Sequence, residues 1–600
     1  MKHVYKKVLL FLFFGVTLTQ MLNAEQAFEN EQYQKALWMT TRFYGAQRSG
    51  EGPNWLLANY SPTNVASKYM QYNDAAITGQ SYLKDADSDG YDLVGGWFDC
   101  ADFVKFGQTE FYSAYVLLLG YSEFPKGYQD LYSADYNGYI GSDDFTWESQ
   151  KGVPNGIPDI LDEVKYATDY FIKCIRSSEK FYYQVGEGGA DHKVWVTSVF
   201  KSGMPKSLGG EREGSRTVYG ISEKGTTMVA FCGASLAAMS RLYRQYDASY
   251  ADLCLLKAKM CLEFINNRAK GNIGAPGGFY GSKSKYEPDV CTFLVEMYRA
   301  TGEQSYLDQL SNYNSYSFGS KTWNHGYTFC YNNTEDISYY NMGMYAGDTL
   351  AKSHLKYFVE QLYKPKNGYI LNVKNNEWGI LRYPANQAFV YGLYKNMIGE
   401  LDEVDPYSLG TIEYIMGSND QKYSFIVGFG DKFPRYPHYR NVYLDDSDSM
   451  ALCKIDEKHI QLGYMVGGDL NPSKYPDDIN NYKSGEGGID YNAGLVGALG
   501  YINSIINPVS TADINTVVYN DVQCYLYPNP VVNVVKLQSK EVGDVRITIY
   551  NVDGDVVKTK DSTWEKLRAE GISVADLNNG SYVLSVVAEN ASATKQFLKK

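Results

Sequence analysis

Asp89 to Gly107 reads D-G-Y-D-L-V-G-G-W-F-D-C-A-D-F-V-K-F-G and sets two carboxylates, Asp99 and Asp102, three residues apart among glycines and aromatics. Gly95-Gly96 lets the backbone bend sharply. Trp97 and Phe98 are expected to wall the acids from water, and Lys105 to pair with one of them. Apolar residues from Thr109 to Leu119 predict a helix directly behind this loop. Two aspartates ahead of a helix also serve as a cap or a solvated turn, so the loop alone decides little.

Working outward, the region from about 27 to 507 reads as helices joined by long loops. Ile160, Val164, Ala167, Phe171 and Ile175 form one apolar stripe on a helix that Pro158 and Asp159 are expected to start, with the proline in its first turn. Similar stripes run through Thr227–Tyr246, Tyr250–Asn267, Val290–Ala300 and Gly347–Tyr363. The connecting loops are rich in Gly, Tyr, Asn and Asp. No alternation of strand and helix marks a parallel sheet. This texture predicts a closed helical array whose loops carry the function. In one of those loops, G-E-G-G-I-D-Y-N-A-G (Gly485 to Gly494), stands a third acid, Glu486, again set among glycines and aromatics.

Two separately held acids with aromatic platforms suit the cleavage of a sugar acetal. One carboxylic acid protonates the leaving oxygen, and an opposed carboxylate activates water.

After Pro508 the texture changes. Residues 508–522 read as a polar linker and 523–600 as a small all-β module. Strands are expected at Val545–Tyr550, Val556–Lys558 and Ser581–Val587, with turns at Asp553-Gly554 and Asn578-Asn579-Gly580.

The chain has 600 residues, 44% of them hydrophobic and 15% aromatic, with 56 tyrosines and a net charge of −13. The acidic balance argues against nucleic acid or an anionic membrane as partner and is compatible with a neutral polysaccharide. Lys2, Lys6 and Lys7, the apolar run Val8–Leu18 and the small-residue site Leu22-Asn23-Ala24 predict a signal peptide over 1–24. Of the nine cysteines, Cys174, Cys232, Cys254 and Cys261 fall inside helical patterns and are expected to be buried hydrophobes. No ligand spacing suggests zinc.

The Asp89–Gly107 segment resembles glycoside hydrolase family nine, inverting cellulases built on an (α/α)6 barrel. Other segments agree in order: F-Y-G-A-Q-R-S-G (Phe43–Gly50), N-G-I-P-D-I-L-D-E (Asn155–Glu163), V-G-E-G-G-A-D-H-K-V-W (Val185–Trp195), Y-R-A-T-G (Tyr298–Gly302), W-G-I-L-R-Y (Trp378–Tyr383), Y-I-M-G-S-N (Tyr414–Asn419), F-P-R-Y-P-H-Y-R (Phe433–Arg440) and the Glu486 segment. The resemblance implies Asp102 as general base, Asp99 as the neighbouring acid that helps hold the water, and Glu486 as general acid. Base and acid would then lie roughly 6.5–9.5 Å apart. It implies Tyr491 beside the acid, His438 and Arg440 on sugar hydroxyls, and His192, Trp195, Trp378 and Arg382 along the cleft. Read without the resemblance, Trp378 is ordinary core and His438 a satisfied structural histidine.

Several positions depart from the family. Cys100-Ala101 replaces Ala-Gly, Gly487-Gly488 replaces a bulkier pair, Tyr439 replaces the second histidine of P-H-H-R, and Tyr339-Tyr340 replaces Trp-Asp. The acids that often hold calcium in the family are reduced to Asp289 beside Pro288. No cofactor is therefore expected to be required, although a structural calcium remains compatible. The tail resembles the C-terminal sorting domain of the type IX secretion system, through Y-P-N-P (Tyr527–Pro530), I-T-I-Y-N-V-D-G (Ile547–Gly554), L-N-N-G-S-Y-V-L (Leu577–Leu584) and K-Q-F-L-K-K (Lys595–Lys600).

These resemblances imply an exported endo-β-1,4-glucanase, secreted or held at the cell surface. Its partners would be β-glucan and the secretion machinery, and it would act as a monomer. With no immunoglobulin-like or cellulose-binding module read ahead of the tail, soluble or amorphous glucan is the expected substrate. The alternatives are xyloglucan, mixed-linkage glucan or cello-oligosaccharides as substrate, or a surface protein that binds glycan without cleaving it.

Overall fold

The computed structural model describes residues 26–50, 84–131, 154–193, 195, 201, 216–313, 329–363, 365–366, 369–370, 378–440, 462–509, 520–521, 524–551, 556–588 and 591–600. The predicted signal segment and the Asp553-Gly554 turn lie outside the described residues.

The long helices are α1 (Asn30–Ala46), α2 (Gly107–Glu123), α3 (Asp159–Cys174), α4 (Thr226–Leu242), α5 (Ala248–Asn267), α6 (Glu287–Thr301), α7 (Glu335–Tyr345), α8 (Thr349–Tyr357), α9 (Arg382–Ile398), α10 (Pro406–Met416) and α11 (Ile489–Ile506). They cover the predicted stripes with shifted ends. α4 stops at Leu242, and the 347–363 stripe divides into α8 and a π-helical turn, Phe358–Leu362. Pro158 is extended and precedes α3 instead of sitting in its first turn, and Ile175 leaves the helix to begin a strand.

Six helices close a ring in which α2, α4, α6, α7, α9 and α11 each touch the next, and α11 returns to α2. α1, α3, α5, α8, α10 and the short helix Gln304–Asp308 pack outside them, giving an (α/α)6 barrel. The ring helices are buried on nearly every side, as their all-round apolar sequences require. Where α2 meets α11, a Cβ on Gly120 would come within 3.1 Å of Gly497 Cα, so the close approach depends on glycine.

The ring helices start at one end, where the loops carry acids. Their other ends meet in a buried polar cluster. Arg299 pairs with Glu123 at 3.0 Å and Glu296 at 2.9 Å, Arg241 pairs with Glu296 at 3.1 Å, and Tyr345 bonds Glu123. Tyr340, one of the departures, donates to Glu123 at 2.5 Å and so belongs to this cluster, not to the cleft. Buried charges paired in this way are costly to break singly.

β3 (Lys180–Val185) carries β1 (Lys105–Phe106) and β2 (Ile175–Ser177) along one edge and β4 (Val218–Ile221) along the other, all antiparallel. β1 leads straight from the Asp99–Asp102 loop into α2, and β3 leads to Asp191 and His192. This small sheet therefore aligns two cleft loops. β5 (Pro365–Lys366) and β6 (Tyr369–Ile370) form a short separate ladder.

The C-terminal module is a two-sheet sandwich. One sheet has the order β11 (Val556–Thr563), β10 (Asp544–Tyr550), β13 (Gly580–Val587), β14 (Ala591–Lys599), β7 (Asn520–Asp521). The other has the order β12 (Ile572–Ser573), β9 (Val534–Gln538), β8 (Tyr525–Tyr527). Two residues read as linker, Asn520 and Asp521, thus pair with β14. The sequence reading also missed the short helix Trp564–Ala569, whose tryptophan fills the module's core. On β10, Val545, Ile547 and Ile549 face that core, while Thr548 and Tyr550 face the barrel. There Thr548 bonds Ser249 at 2.9 Å and Ser585 donates to Asp252 of α5 at 3.0 Å.

Candidate active site

A cleft of about 640 Å³ opens at the acidic end of the barrel, and all ten residues singled out from the sequence line it: Asp99, Asp102, His192, Trp195, Trp378, Arg382, His438, Arg440, Glu486 and Tyr491. Phe279, Tyr280, Tyr331 and Tyr482 line it as well, and sequence reasoning missed them.

Asp99 and Asp102 lie on a turn built by Gly95 and Gly96, whose φ angles of 103° and 81° favour glycine. Asp99 is held by donors on both oxygens. Thr109 from α2 donates to one, while Tyr280 and the Cys100 thiol, at 3.3 Å, donate to the other. Asp102 accepts the Val104 N–H at 2.8 Å. Lys105 does not pair with either acid. Its ammonium turns away to Asp85 at 3.1 Å and to the carbonyls of Leu93 and Gly95. Trp97 is buried and donates to Glu163 at 3.2 Å. The acids are thus left without a neutralising lysine.

Glu486 sits just ahead of α11. Trp378 donates to its Oε2 at 3.2 Å, and the Ala101 N–H reaches the same carboxyl. Burial first, and then the charge of Asp102, pushes Glu486 up to about 8. Burial likewise raises Asp102, with His192 and Arg440 pulling the other way, and raises Asp99 well above the usual carboxylate range, where Asp102 adds to the effect. The cleft therefore holds one acid that keeps its proton at neutral pH beside a pair whose like charges disfavour full ionisation.

Two departures from the family explain each other. A Cβ on Gly488 would lie 2.8 Å from Cys100 Sγ, and one on Gly487 would lie 2.5 Å from the Met465 carbonyl. The thiol occupies space that a larger residue after the acid would need. Tyr439 is fully buried against Tyr464, with its hydroxyl on Gln47, and does not reach the cleft.

The walls are aromatic. Trp378 and Tyr482 lie 4.9 Å apart, and Trp195 and His438 lie 4.7 Å apart, while Phe279 stacks on His192 at 4.6 Å. Trp378 is 43% exposed and Phe279 42%, so these are platforms and not core. His438 Nδ1 lies 2.6 Å from the Ile479 carbonyl and His192 Nδ1 lies 2.7 Å from that of Gly188. A carbonyl only accepts, so each Nδ1 is protonated and Nε2 is the free face. Burial lowers His438 to about 4, which keeps it neutral.

The two arginines are more engaged than the sequence reading implied. Arg440 donates to the carbonyls of Ala101 at 2.9 Å and Asp191 at 3.0 Å and pairs with the Asp191 carboxylate. Arg382 pairs with Asp490 at 2.8 Å beneath Tyr491. Both hold loops in place as well as lining the cleft.

Asp289 does not fit a divalent cation. Both of its oxygens lie within 2.9 Å of the Lys283 ammonium. No cluster of three or more acidic, His or Cys ligands occurs among the described residues.

The profile described as Glycosyl hydrolase family 9 matches residues 33–499, and that described as Secretion system C-terminal sorting domain matches 525–600. An endoglucanase of Fibrobacter succinogenes is 30% identical over 450 residues, covering 72% of this chain and 91% of the relative. Endoglucanase 4 of Bacillus sp. (strain KSM-522) is 29% identical over 487 residues, covering 78% and 68%. Among solved structures, the endoglucanase of the termite Nasutitermes takasagoensis aligns with a TM-score of 0.61 at 27% identity, covering 80% of this chain and 99% of that one. The cellulase Cel9M of C. cellulolyticum in complex with cellobiose aligns with a TM-score of 0.60 at 26% identity, covering 78% and 98%.

Proposed function

This chain belongs to glycosyl hydrolase family 9, and on that premise we propose that it is an exported endo-β-1,4-glucanase that cleaves with inversion. The observation that carries the mechanism is Glu486, buried in the same cleft as the Asp99–Asp102 pair, where burial pushes its carboxyl up to about 8.

In this reading a water oxygen attacks the anomeric carbon and its proton passes to Asp102. Asp99, fixed by Thr109 and Tyr280, orients that water. As the bond from the anomeric carbon to the glycosidic oxygen breaks, Glu486 gives its proton to the departing oxygen. The neutral His438 accepts a sugar hydroxyl at Nε2, His192 turns its Nε2 toward another, and Trp378 and Trp195 stack on sugar faces. The reaction needs no cofactor. The relatives' names and the cellobiose bound to one structural neighbour support a cellulose-type substrate. The C-terminal module is proposed to hand the protein to type IX export, leaving it secreted or at the cell surface.

The test is proton NMR of cellopentaose during hydrolysis. α-Anomer appearing first and then mutarotating supports inversion by Asp102 and Glu486. β-Anomer appearing first overturns the geometry. Broadened sugar signals without cleavage would replace the enzyme with a glycan-binding protein.

A further inference from the structure

The loop from Gly271 to Tyr286 supplies Phe279 and Tyr280 to the cleft, and one side chain fastens it. Lys283 Nζ lies 2.8 Å and 2.9 Å from the two oxygens of Asp289 and 2.5 Å from Thr334 Oγ1. Thr334 and Thr227 both donate to Asp289, the latter at 2.7 Å. Asp289 is fully buried and the Lys283 side chain is only 10% exposed. Asn272 completes the tie by bonding the Lys283 and Lys285 carbonyls and the Thr227 N–H.

These contacts join the starts of three consecutive ring helices. Thr227 lies in the first turn of α4, Asp289 in that of α6, and Thr334 precedes α7. Helix starts carry partial positive charge and favour an anion, which Asp289 supplies. A buried carboxylate in turn needs a cation. Lys283 brings that cation on the very loop that has to be held.

We infer that the Lys283 ammonium is the resident cation of this junction, standing where a divalent metal would otherwise bridge the loop to α6 and α7. The junction is therefore indifferent to calcium. This role is one of stability and is independent of the proposed reaction.

The test is thermal unfolding of the full chain as purified, with excess EDTA, and with added calcium chloride, beside elemental analysis. Coincident midpoints and no stoichiometric calcium are expected. A midpoint lowered by EDTA or raised by calcium, or one bound calcium per chain, overturns the inference. A second arm compares Lys283→Met, Asp289→Asn and the double variant. Each single change strands a buried partner and lowers the midpoint, while the double change recovers part of the loss. Strict additivity would mean that the two residues do not act as a charge pair. Because no arm uses substrate, a failed activity assay leaves this result unaffected.

Discussion

The carbonyl oxygen of Asp99 accepts the backbone N–H of Ile489 at 3.0 Å, so the Asp99–Asp102 loop and the Glu486 loop are joined main chain to main chain. Side-chain packing continues the joint, with Cys100 Sγ against Gly488. Gly488→Ala should force the loops apart, because its Cβ would lie 2.8 Å from that sulfur. We expect kcat to fall at least about tenfold, since small misplacements are costly in catalysis, with a smaller change in KM. Cys100→Ala in the same chain should recover most of the loss. Steady-state kinetics of the two single variants and the double would decide it.

Glu486→Gln keeps the shape of the acid and removes its proton. Turnover of β-glucan should fall by about 10²–10⁴-fold, while cello-oligosaccharide affinity, measured by calorimetry, should change little. Aryl cellobiosides with acidic phenol leaving groups should lose far less, because such a group departs without a proton. Equal losses on both substrates would remove Glu486 from the role of proton donor.

The proposed mechanism requires Asp102 ionised and Glu486 protonated, so kcat/KM should trace a bell against pH. Its alkaline limb should lie near pH 8, where burial places Glu486. The Trp378 N–H favours the ionised form of that acid. Trp378→Phe retains a platform and loses this donor, and should move the alkaline limb upward. Trp378→Ala should raise KM in addition.

Glu110 of α2 is buried and accepts the Trp97 N–H at 2.7 Å, and burial pushes it up to about 8. The folded chain therefore holds a proton that the unfolded chain releases at lower pH. Stability from this group is full below the ordinary glutamate range and is lost as pH rises toward 8. Glu110→Gln should flatten that dependence and stabilise the protein by a few kcal/mol at about pH 9. Urea unfolding across pH would reveal it, and parallel slopes for wild type and variant would refute it.

Asp99, Asp102 and Glu486 were legible because each stands in a glycine-rich segment where an acid is conspicuous, whereas the cleft histidines and wall residues came only through the family resemblance, and His438 has no glycine in its F-P-R-Y-P-H-Y-R segment. Tyr280 was not legible. It lies 181 residues from Asp99, and among 56 tyrosines nothing marks one that completes a carboxylate's hydrogen bonds. Lys105 misled for the opposite reason. Nearness along the chain suggested a partner, but β1 turns its side chain toward Asp85. Helix stripes were readable from apolar spacing, whereas their ends depended on local backbone, as Pro158 and Ile175 illustrate. The Trp564 helix is only six residues long, too short for a periodic pattern to emerge.

The ring closes where its first helix, α2, meets its last, α11. Asp99 and Asp102 lead into the former and Glu486 into the latter, so the reaction centre straddles the place where the two ends of a long stretch of chain come together. In the proposed mechanism, a polypeptide grown or folded only as far as α9 has its base and lacks its acid. Such a contact is also among the slowest kind to form, because it closes one of the longest loops in the domain. On that mechanism hydrolytic competence arrives late and all at once, and a barrel that has not finished folding has no means of cutting glucan.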